Sequence, residues 1–372
     1  MESFEFRIWK YAGKKVAYIM ESLFNIKKSS VLSFVLGFSG VAIMIILNSI
    51  GLKPVKTIDA IIQRETKVQK VQDRITPKLE KIKNNFKIKK NKNIVPRVYG
   101  DNTQVEAKAY GAIDFNTGEV LVHKNLEMSL PIASVTKIMT AVVALDLAEK
   151  DDLFTVSRKA SKVSPTKIGV VPEQKMTLQE LLNALLLTSA NDAAEVIKEG
   201  INVKYQGEVF VASMNKKAKF LNLKNSNFAN PQGFDNKKNY SSVGDLAVLT
   251  HYALSNYPII SEIVKKDYEF LPKNQNHKQF DLYNWNGLIG VYPNTIGVKI
   301  GNTGLAGKTT VVVSQREGNK IISIVLGAPG ILERDLWAAK LLDLGFEQKG
   351  LKAAMIKEDD LNQKYNSWKY WN

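Results

Sequence analysis

The chain of 372 residues contains no cysteine and only three histidines. Without cysteine, the chain has no thiol nucleophile, no disulfide bond and no thiolate metal site. His123, His251 and His277 are scattered and have no metal-ligand spacing. None of them has a sequence context typical of a Ser-His-Asp triad, so we interpret them as structural or surface residues. We therefore expect neither a metal site nor a cofactor.

Acidic residues are scarce in the N-terminal region. Residues 1–100 hold 20 Lys and Arg against 7 Asp and Glu, whereas residues 101–372 hold 32 against 29. A nucleic-acid-binding protein would carry a basic patch on its folded domain, so this distribution argues against nucleic acid as a partner. It is more typical of a segment near anionic lipid headgroups or an anionic wall polymer.

Charged residues are absent from residues 29–52, and residues 31–47 are almost entirely apolar. This run can span a bilayer as a helix, and no small-x-small cleavage site follows it. We predict an uncleaved transmembrane anchor at residues 29–52, with a basic cytoplasmic segment at residues 1–28. Because Lys and Arg flank both ends, the positive-inside rule does not fix the orientation.

Residues 53–104 are predicted to form a basic stalk or linker. Apolar residues recur at spacings of three and four between residues 68 and 86, which is typical of an amphipathic helix. Pro77 is expected to break or kink this helix. The segment could lie on the membrane or pair with another helix, but we favour a partly helical, solvated spacer.

From residue 105 the pattern is that of a folded domain. Strands are predicted at residues 109–114, 120–123, 297–300, 309–315 and 321–326. Helices are predicted after residue 134, from a capping box at Thr177 and Glu180, and near residues 208–221, 243–255 and 334–344. This order indicates an α+β domain that is divided by a helical insertion.

A serine and a lysine stand three positions apart at Ser134 and Lys137, in front of the apolar run 138–147. On a helix they share one face, and burial there favours a neutral amine that can accept a proton from a hydroxyl. This arrangement is suited to an activated nucleophile. The same spacing occurs in polar surroundings at Ser164-x-x-Lys167 and Ser213-x-x-Lys216, so the spacing alone is not informative.

Two further motifs follow in order. Ser189-x-Asn191 lies in a loop between predicted helices, and Lys299-Ile300-Gly301 ends a predicted strand. Ser-x-x-Lys, Ser-x-Asn and Lys-Thr/Ser-Gly, in this order, are the motifs of penicillin-recognising serine enzymes. Their spacing and secondary-structure context strengthen the assignment of Ser134.

The stretch from residue 107 to about residue 348 resembles the D-alanyl-D-alanine carboxypeptidases, the low-molecular-mass penicillin-binding proteins. The similar pieces are residues 117–121, 131–141, 186–194, 230–233, 241–247, 297–301 and 341–346. The resemblance implies a β-lactamase/transpeptidase-like α+β domain at residues 105–348, with a five-stranded antiparallel sheet flanked by helices and a helical subdomain. Residues 349–372 would form a short, frayed C-terminal tail.

The resemblance also implies catalytic roles. Ser134 would attack the carbonyl between the two terminal D-alanines of a peptidoglycan stem peptide, and Lys137 would accept its proton. Ser189 and Asn191 would orient this lysine and the peptide, and Ser189 could relay a proton to the leaving amine. β-Lactams would then be covalent inhibitors.

A second set of residues would bind the substrate. Lys299, at the start of Lys299-x-Gly301, would supply positive charge across the cleft. The backbone amide of Asn302, with that of the nucleophile, would form the oxyanion hole. Arg334 matches in spacing an arginine that helps to hold the terminal carboxylate in some family members, although a surface role is equally compatible with the sequence.

Ile300 departs from the family pattern, which has Thr or Ser at this position. Without a hydroxyl, the substrate carboxylate loses one hydrogen-bond partner. The protein could then be a slower carboxypeptidase, a D,D-endopeptidase that acts on an internal cross-link, or a non-catalytic peptidoglycan-binding protein. We favour retained activity, because the other motif residues are present.

A β-lactamase of the same fold is a further alternative. Such enzymes need a glutamate after the Ser-x-Asn loop, whereas Glu180-Leu-Leu-Asn183 precedes it and fits a helix face. The sequence therefore predicts a single-pass protein of the bacterial cell membrane, with an extracytoplasmic carboxypeptidase domain that acts on peptidoglycan.

Overall fold

The computed structural model describes residues 70–90 and 105–368. The chain divides into two units, residues 1–74 and residues 75–372. Of the first unit only residues 70–74 are described, and they are helical. The predicted anchor at residues 29–52 lies outside the described residues. Within the described ranges, no helix is both long and apolar enough to cross a membrane.

The second unit alternates between strands and helices. The strands are β1 Ala109–Asp114, β2 Val120–Lys124, β3 Leu153–Thr155, β4 Lys175–Thr177, β5 Tyr268–Leu271, β6 Phe280–Tyr283, β7 Thr295–Thr303, β8 Gly307–Arg316 and β9 Asn319–Ala328. The helices are α1 Lys137–Leu147, α2 Arg158–Ser161, α3 Leu178–Leu186, α4 Asn191–Lys204, α5 Phe210–Phe220, α6 Val243–Asn256, α7 Pro258–Val264, α8 Ile331–Glu347 and α9 Glu358–Asn366.

A five-stranded sheet in the order β2-β1-β9-β8-β7 forms the centre of the unit. Its neighbouring strands are all antiparallel. Helix α8 packs on one face, where Ala112 joins Leu341 and Phe346 in a buried cluster. Helix α6 packs on the other face, where Gly111 faces it. The approach is close, since a Cβ on Gly111 would lie 2.8 Å from Val243 Cγ1. The predicted antiparallel sheet flanked by helices is confirmed.

Helices α1, α3, α4 and α5 pack together beside the sheet as the helical insertion. The predicted capping box is confirmed, because Glu180 N donates to Thr177 Oγ1 and Thr177 N donates to Glu180 Oε2. Helix α8 begins three residues earlier than predicted. The hairpin of β5 and β6 was not predicted, since two short, half-exposed strands give only a weak sequence signal.

Residues 75–90 correct the expectation of a solvated spacer. Residues 75–79 are helical, Pro77 included, and the side chains of Ile75 and Leu79 are fully buried. The Phe86 ring stacks on His251 with 3.9 Å between centroids. The apolar stripe that suggested a membrane-surface or partner helix therefore packs, over these residues, on the domain itself.

The region after residue 348 corrects the expectation of a frayed tail. Residues Glu358–Asn366 form α9, and its Leu361 is fully buried in the cluster below α8. Trp368 is 5% exposed and makes a T-shaped contact with Trp285, with 5.2 Å between ring centroids. Burial of these large apolar side chains outweighs the polar composition of the segment.

Candidate active site

Ser134 lies in a short 3₁₀ helix, Ala133–Thr136, that leads directly into α1. Ala133 has a φ of 48°, a strained conformation for a residue with a side chain. Lys137 is the first residue of α1, and its Nζ lies 2.8 Å from Ser134 Oγ. The predicted pair is therefore in hydrogen-bond contact.

The Lys137 amine is fully buried and has two further oxygen partners. Its Nζ lies 2.8 Å from Asn191 Oδ1 and 2.6 Å from the carbonyl oxygen of Gln232. Burial, and to a smaller extent the charge of the nearby Lys299, hold the pKa of Lys137 well below its usual range. The negative charge of Asp192 acts in the opposite direction but is the smaller effect. A neutral amine has two N–H groups and one lone pair. When Asn191 and Gln232 accept the two N–H groups, the lone pair is left for the serine hydroxyl.

Asn191 begins α4, and the turn before it holds Ser189. Ser189 has a φ of 63°, so the Ser-x-Asn motif also lies on strained backbone. Asn191 is fixed by two contacts with the loop before β4, since its backbone N–H donates to Thr166 O at 2.7 Å and its Nδ2 to Ser164 O at 3.1 Å. The structure thus brings Ser189 and Asn191 to the same site as Ser134.

Lys299 lies on β7 with a side chain that is 1% exposed, and its Nζ donates to Ile300 O at 3.1 Å. Burial, followed by the charge of Arg334, lowers the pKa of Lys299 to about 7. Lys299 thus lies beside Lys137, and its charge is, after burial, a further cause that lowers the pKa of Lys137.

Gly301 allows β7 to approach the nucleophile closely. A Cβ at this position would lie 2.9 Å from the backbone nitrogen of Ser134 and 2.5 Å from Thr309 Oγ1. Thr309 Oγ1 in turn donates to Ile132 O at 3.1 Å, which ties β8 to the segment before Ser134. The strand that carries Asn302 is therefore held against the backbone amide of the nucleophile.

The loop at residues 230–233 supplies a partner that residue types alone did not reveal. Gln232 accepts from Lys137 through its backbone carbonyl, and its Nε2 donates to Glu195 Oε2 at 2.6 Å. Gly233 has a φ of 88°, and a Cβ there would lie 2.0 Å from Ala133 O. The Asn230-Pro-Gln-Gly233 pattern was the only available signal for this contact.

A pocket of about 250 Å³ opens in front of Ser134. It is lined by Ser134, Thr166, Ser189, Trp285, Ile300, Gly301, Asn302, Ile331, Arg334 and Trp368. The pocket thus gathers most of the predicted site residues, together with two tryptophans that were not predicted. Arg334 is 1% exposed, and its Nε and Nη2 both donate to the Asp335 carboxylate at 2.7 Å.

Neither lysine of the other two Ser-x-x-Lys sequences lines this pocket. Lys167 is exposed, and Lys216 Nζ donates to Thr76 Oγ1. Glu180 caps α3, and its Oε1 lies 3.0 Å from His277 Nε2. Glu180 and His277 do not line the pocket. Among the residues that the structure describes, no group of His, Asp and Glu side chains could hold a metal ion.

An antiparallel sheet with a serine and a buried lysine at its edge defines the class of transpeptidase-like serine proteins. The chain belongs within this class to the D-alanyl-D-alanine carboxypeptidase family, whose family model matches residues 96–330. It is 37% identical over 249 residues to the D-alanyl-D-alanine carboxypeptidase DacF of Bacillus subtilis, with 65% of this chain and 63% of DacF covered. It is 29% identical to DacB2 of Mycobacterium tuberculosis, with 64% and 82% covered.

Solved structures agree with this assignment. The Streptomyces K15 DD-transpeptidase superposes with a TM-score of 0.62 at 26% identity, over 67% of this chain and all of that chain. Penicillin-binding protein D2 of Listeria monocytogenes, solved in the ampicillin-bound form, gives a TM-score of 0.58 at 27% identity, over 66% of this chain and all of that chain. The chain spans less than two thirds of the length of DacF and of the Haemophilus influenzae DacA.

Proposed function

We propose that the protein is a serine-type D-alanyl-D-alanine peptidase that cleaves the D-alanyl bond of peptidoglycan stem peptides through an acyl-enzyme on Ser134. One contact carries the proposal: the buried Lys137 amine lies 2.8 Å from Ser134 Oγ and within hydrogen-bond distance of two further oxygens, and burial holds its pKa well below the usual range. This geometry is that of a general base positioned on its nucleophile.

The reaction follows from these positions. Ser134 Oγ attacks the D-alanine carbonyl as its proton passes to Lys137, and the oxyanion is bound by the backbone amides of Ser134 and Asn302. Loss of one such donor typically costs about 3 kcal/mol of transition-state stabilisation. The C–N bond then breaks, and the leaving amine takes the proton from Lys137, directly or through Ser189. Water hydrolyses the ester, with Lys137 again acting as the base.

The substrate would lie along β7. This strand is at the edge of the sheet, so its outer backbone groups are available to an extended peptide. Lys299 adds positive charge beside the pocket, and β-lactams would acylate the same serine. Peptidoglycan as partner is in line with the bound ampicillin of the Listeria relative.

The location of the protein is a proposal from the sequence. Residues 29–52 would anchor it in the bacterial cell membrane as a single span, with the catalytic domain outside the cytoplasm. The docked residues 75–90 would end the stalk on the domain surface, so only residues 53–74 and 91–104 would remain as linker. The buried Ile75 and Leu79 support this arrangement.

The proposal is tested with an acyl-peptide that ends in D-alanyl-D-alanine. Wild-type protein should release D-alanine, and the Ser134→Ala variant should release none above the buffer background. Ser213→Ala is the matched control, because this serine has the same Ser-x-x-Lys spacing on α5 but lies outside the pocket. No release by the wild type from this peptide or from any other D-alanyl peptide would refute the proposal.

A further inference from the structure

Both of the further oxygens that contact the Lys137 amine are held from one helix. Asn191, the first residue of α4, places its Oδ1 2.8 Å from Lys137 Nζ. Glu195 lies four positions further along α4 and therefore on the same face of this helix. Its Oε2 accepts from Gln232 Nε2 at 2.6 Å, and Gln232 O lies 2.6 Å from Lys137 Nζ. Glu195 thus reaches the amine through one intervening residue.

The Glu195 side chain is buried and nonetheless ionised. It is 3% exposed, and its Oε1 lies 2.6 Å from both Lys159 Nζ and Lys198 Nζ. Burial opposes ionisation, but the hydrogen bonds from the two lysines and from Gln232 outweigh it and hold the pKa of Glu195 below its usual value. At neutral pH the carboxylate is therefore a permanent acceptor for the Gln232 amide.

The position of the Gln232 carbonyl decides which group donates to it. Its oxygen lies 2.6 Å from Lys137 Nζ and 3.5 Å from Ser134 Oγ. When it is held near Nζ, it accepts one N–H of the amine and leaves the lone pair for the serine. If the carbonyl moved toward Ser134, the hydroxyl could donate to it instead, and Lys137 would lose the proton that it has to accept.

Contacts from two helices hold the loop at residues 230–233. Thr140 on α1 donates from its Oγ1 to Pro231 O at 2.8 Å. On α4, Glu195 accepts from the Gln232 amide. Gln232 is 4% exposed, so loss of the carboxylate would leave a buried N–H donor without its acceptor. To regain a partner this amide would have to move, and the backbone carbonyl of the same residue would move with it.

We propose, on the basis of the function above, that Glu195 is a positioning residue for the general base of the reaction. Through the Gln232 side chain, it fixes the carbonyl that accepts one N–H of Lys137. The lone pair of this amine then stays directed at the Ser134 hydroxyl. Glu195 does not line the pocket, so its loss should change the rate of the chemical step and not the shape of the substrate site.

The same carbonyl affects the protonation of Lys137. An oxygen acceptor stabilises the ammonium more than the neutral amine, so a displaced Gln232 carbonyl should lower the pKa of Lys137 further. The charged groups that act on this amine, Lys299 on β7 and Asp192 on α4, are present in every variant below. The acidic limb of the acylation profile reports the fraction of neutral Lys137 and should therefore move to lower pH. A loss of folded protein would lower the whole profile without moving this limb.

Four variants test the proposal by the rate at which a fluorescent penicillin acylates Ser134. Glu195→Leu removes both carboxylate oxygens and should slow acylation about tenfold. Glu195→Gln also removes the charge but keeps an oxygen for the Gln232 amide, so it should recover most of the rate. Gln232→Leu removes the same hydrogen bond from the other side and should be as slow as Glu195→Leu. The double variant Glu195→Leu/Gln232→Leu should be no slower than either, because both act on one contact.

Glu199→Leu is the matched control. Glu199 lies one turn after Glu195 on α4, contacts Lys159 Nζ at 3.4 Å and accepts from Ser157 Oγ at 2.6 Å. Within the described part of the chain, it has no hydrogen bond to Gln232. Its replacement should leave the acylation rate within about twofold of the wild type. The acidic limb should move to lower pH in Glu195→Leu and Gln232→Leu, and stay in place in Glu195→Gln and Glu199→Leu.

The outcomes separate this inference from the proposed function. If Glu195→Leu acylates at the wild-type rate, or slows while its acidic limb stays in place, the inference is overturned and the proposed function stands. Equal rates for Glu195→Leu and Glu195→Gln would also overturn it, because the acceptor oxygen would then not matter. A wild-type protein that gains no label would refute both.

Discussion

Lys137→Met should lower the rate at which a fluorescent penicillin acylates Ser134 by about 10²–10⁴-fold. Methionine fills the buried space of the lysine stem but has no lone pair that can take the serine proton at neutral pH. Burial already holds the pKa of the Lys137 amine well below its usual range, so an uncharged side chain should be tolerated there and the folded state should be retained. The rate of labelling, followed by gel fluorescence at several times, measures the effect.

Two further variants control for this result. Lys137→Arg places a guanidinium at the position that stays protonated and cannot act as a base, so this variant should acylate as slowly as Lys137→Met. Lys216→Met removes the lysine of a second Ser-x-x-Lys on α5 and should acylate at the wild-type rate. If Lys137→Met reacts within about twofold of the wild type, Lys137 is not the base.

Lys217→Met should lower the free energy of unfolding by about 3–5 kcal/mol. Lys217 is fully buried, forms an ion pair of 2.8 Å with Asp146, and donates to Leu79 O and to Tyr252 OH. Without the lysine, the Asp146 carboxylate remains buried and unpaired, and its pKa is already raised by burial. Denaturant unfolding of the purified domain, followed by fluorescence, measures the loss.

The double variant Lys217→Met/Asp146→Asn separates the buried charge from the packing. Asparagine still accepts from Tyr257 OH, which donates to Asp146 at 2.6 Å, but carries no charge. Most of the lost stability should therefore return. Lys219→Met, on the exposed side of the same helix, should change the stability by less than about 0.5 kcal/mol. A full loss in the double variant would contradict the role given to Asp146.

The contacts of Lys137 with Ser134 and with Asn191 could be predicted from the sequence. A separation of three positions on a helix places Ser134 and Lys137 side by side. The order of the three motifs, which follows the family pattern, indicates that Asn191 lies at the same site. The sheet was predictable for a related reason, since strands β7, β8 and β9 are apolar runs bounded by turn residues.

Contacts made by the backbone or across long distances in sequence could not be predicted in the same way. Gln232 binds Lys137 through its carbonyl, which every residue type has. Trp368 reaches the pocket only because α9 folds back below α8, and no local pattern fixes this return. The apolar stripe that includes Ile75 and Leu79 was visible in the sequence, but an apolar stripe does not identify the surface that packs against it.

The ion pair between Arg334 and Asp335 is a further contact that could not be predicted from the sequence. Arg334 lines the pocket, and the adjacent acid was visible in the sequence. Only the folded structure shows that both side chains are buried and that the arginine donates two hydrogen bonds to its neighbour. The charge of a predicted binding residue therefore depends on what else is buried beside it.

Peptide mapping by mass spectrometry after incubation with ampicillin tests the central claim most directly. The account predicts that one intact antibiotic is added to the peptide that contains Ser134, and that the Ser134→Ala variant gains no mass. Addition at Ser164, Ser189 or Ser213 instead, or no covalent addition to the wild-type protein at all, would contradict it.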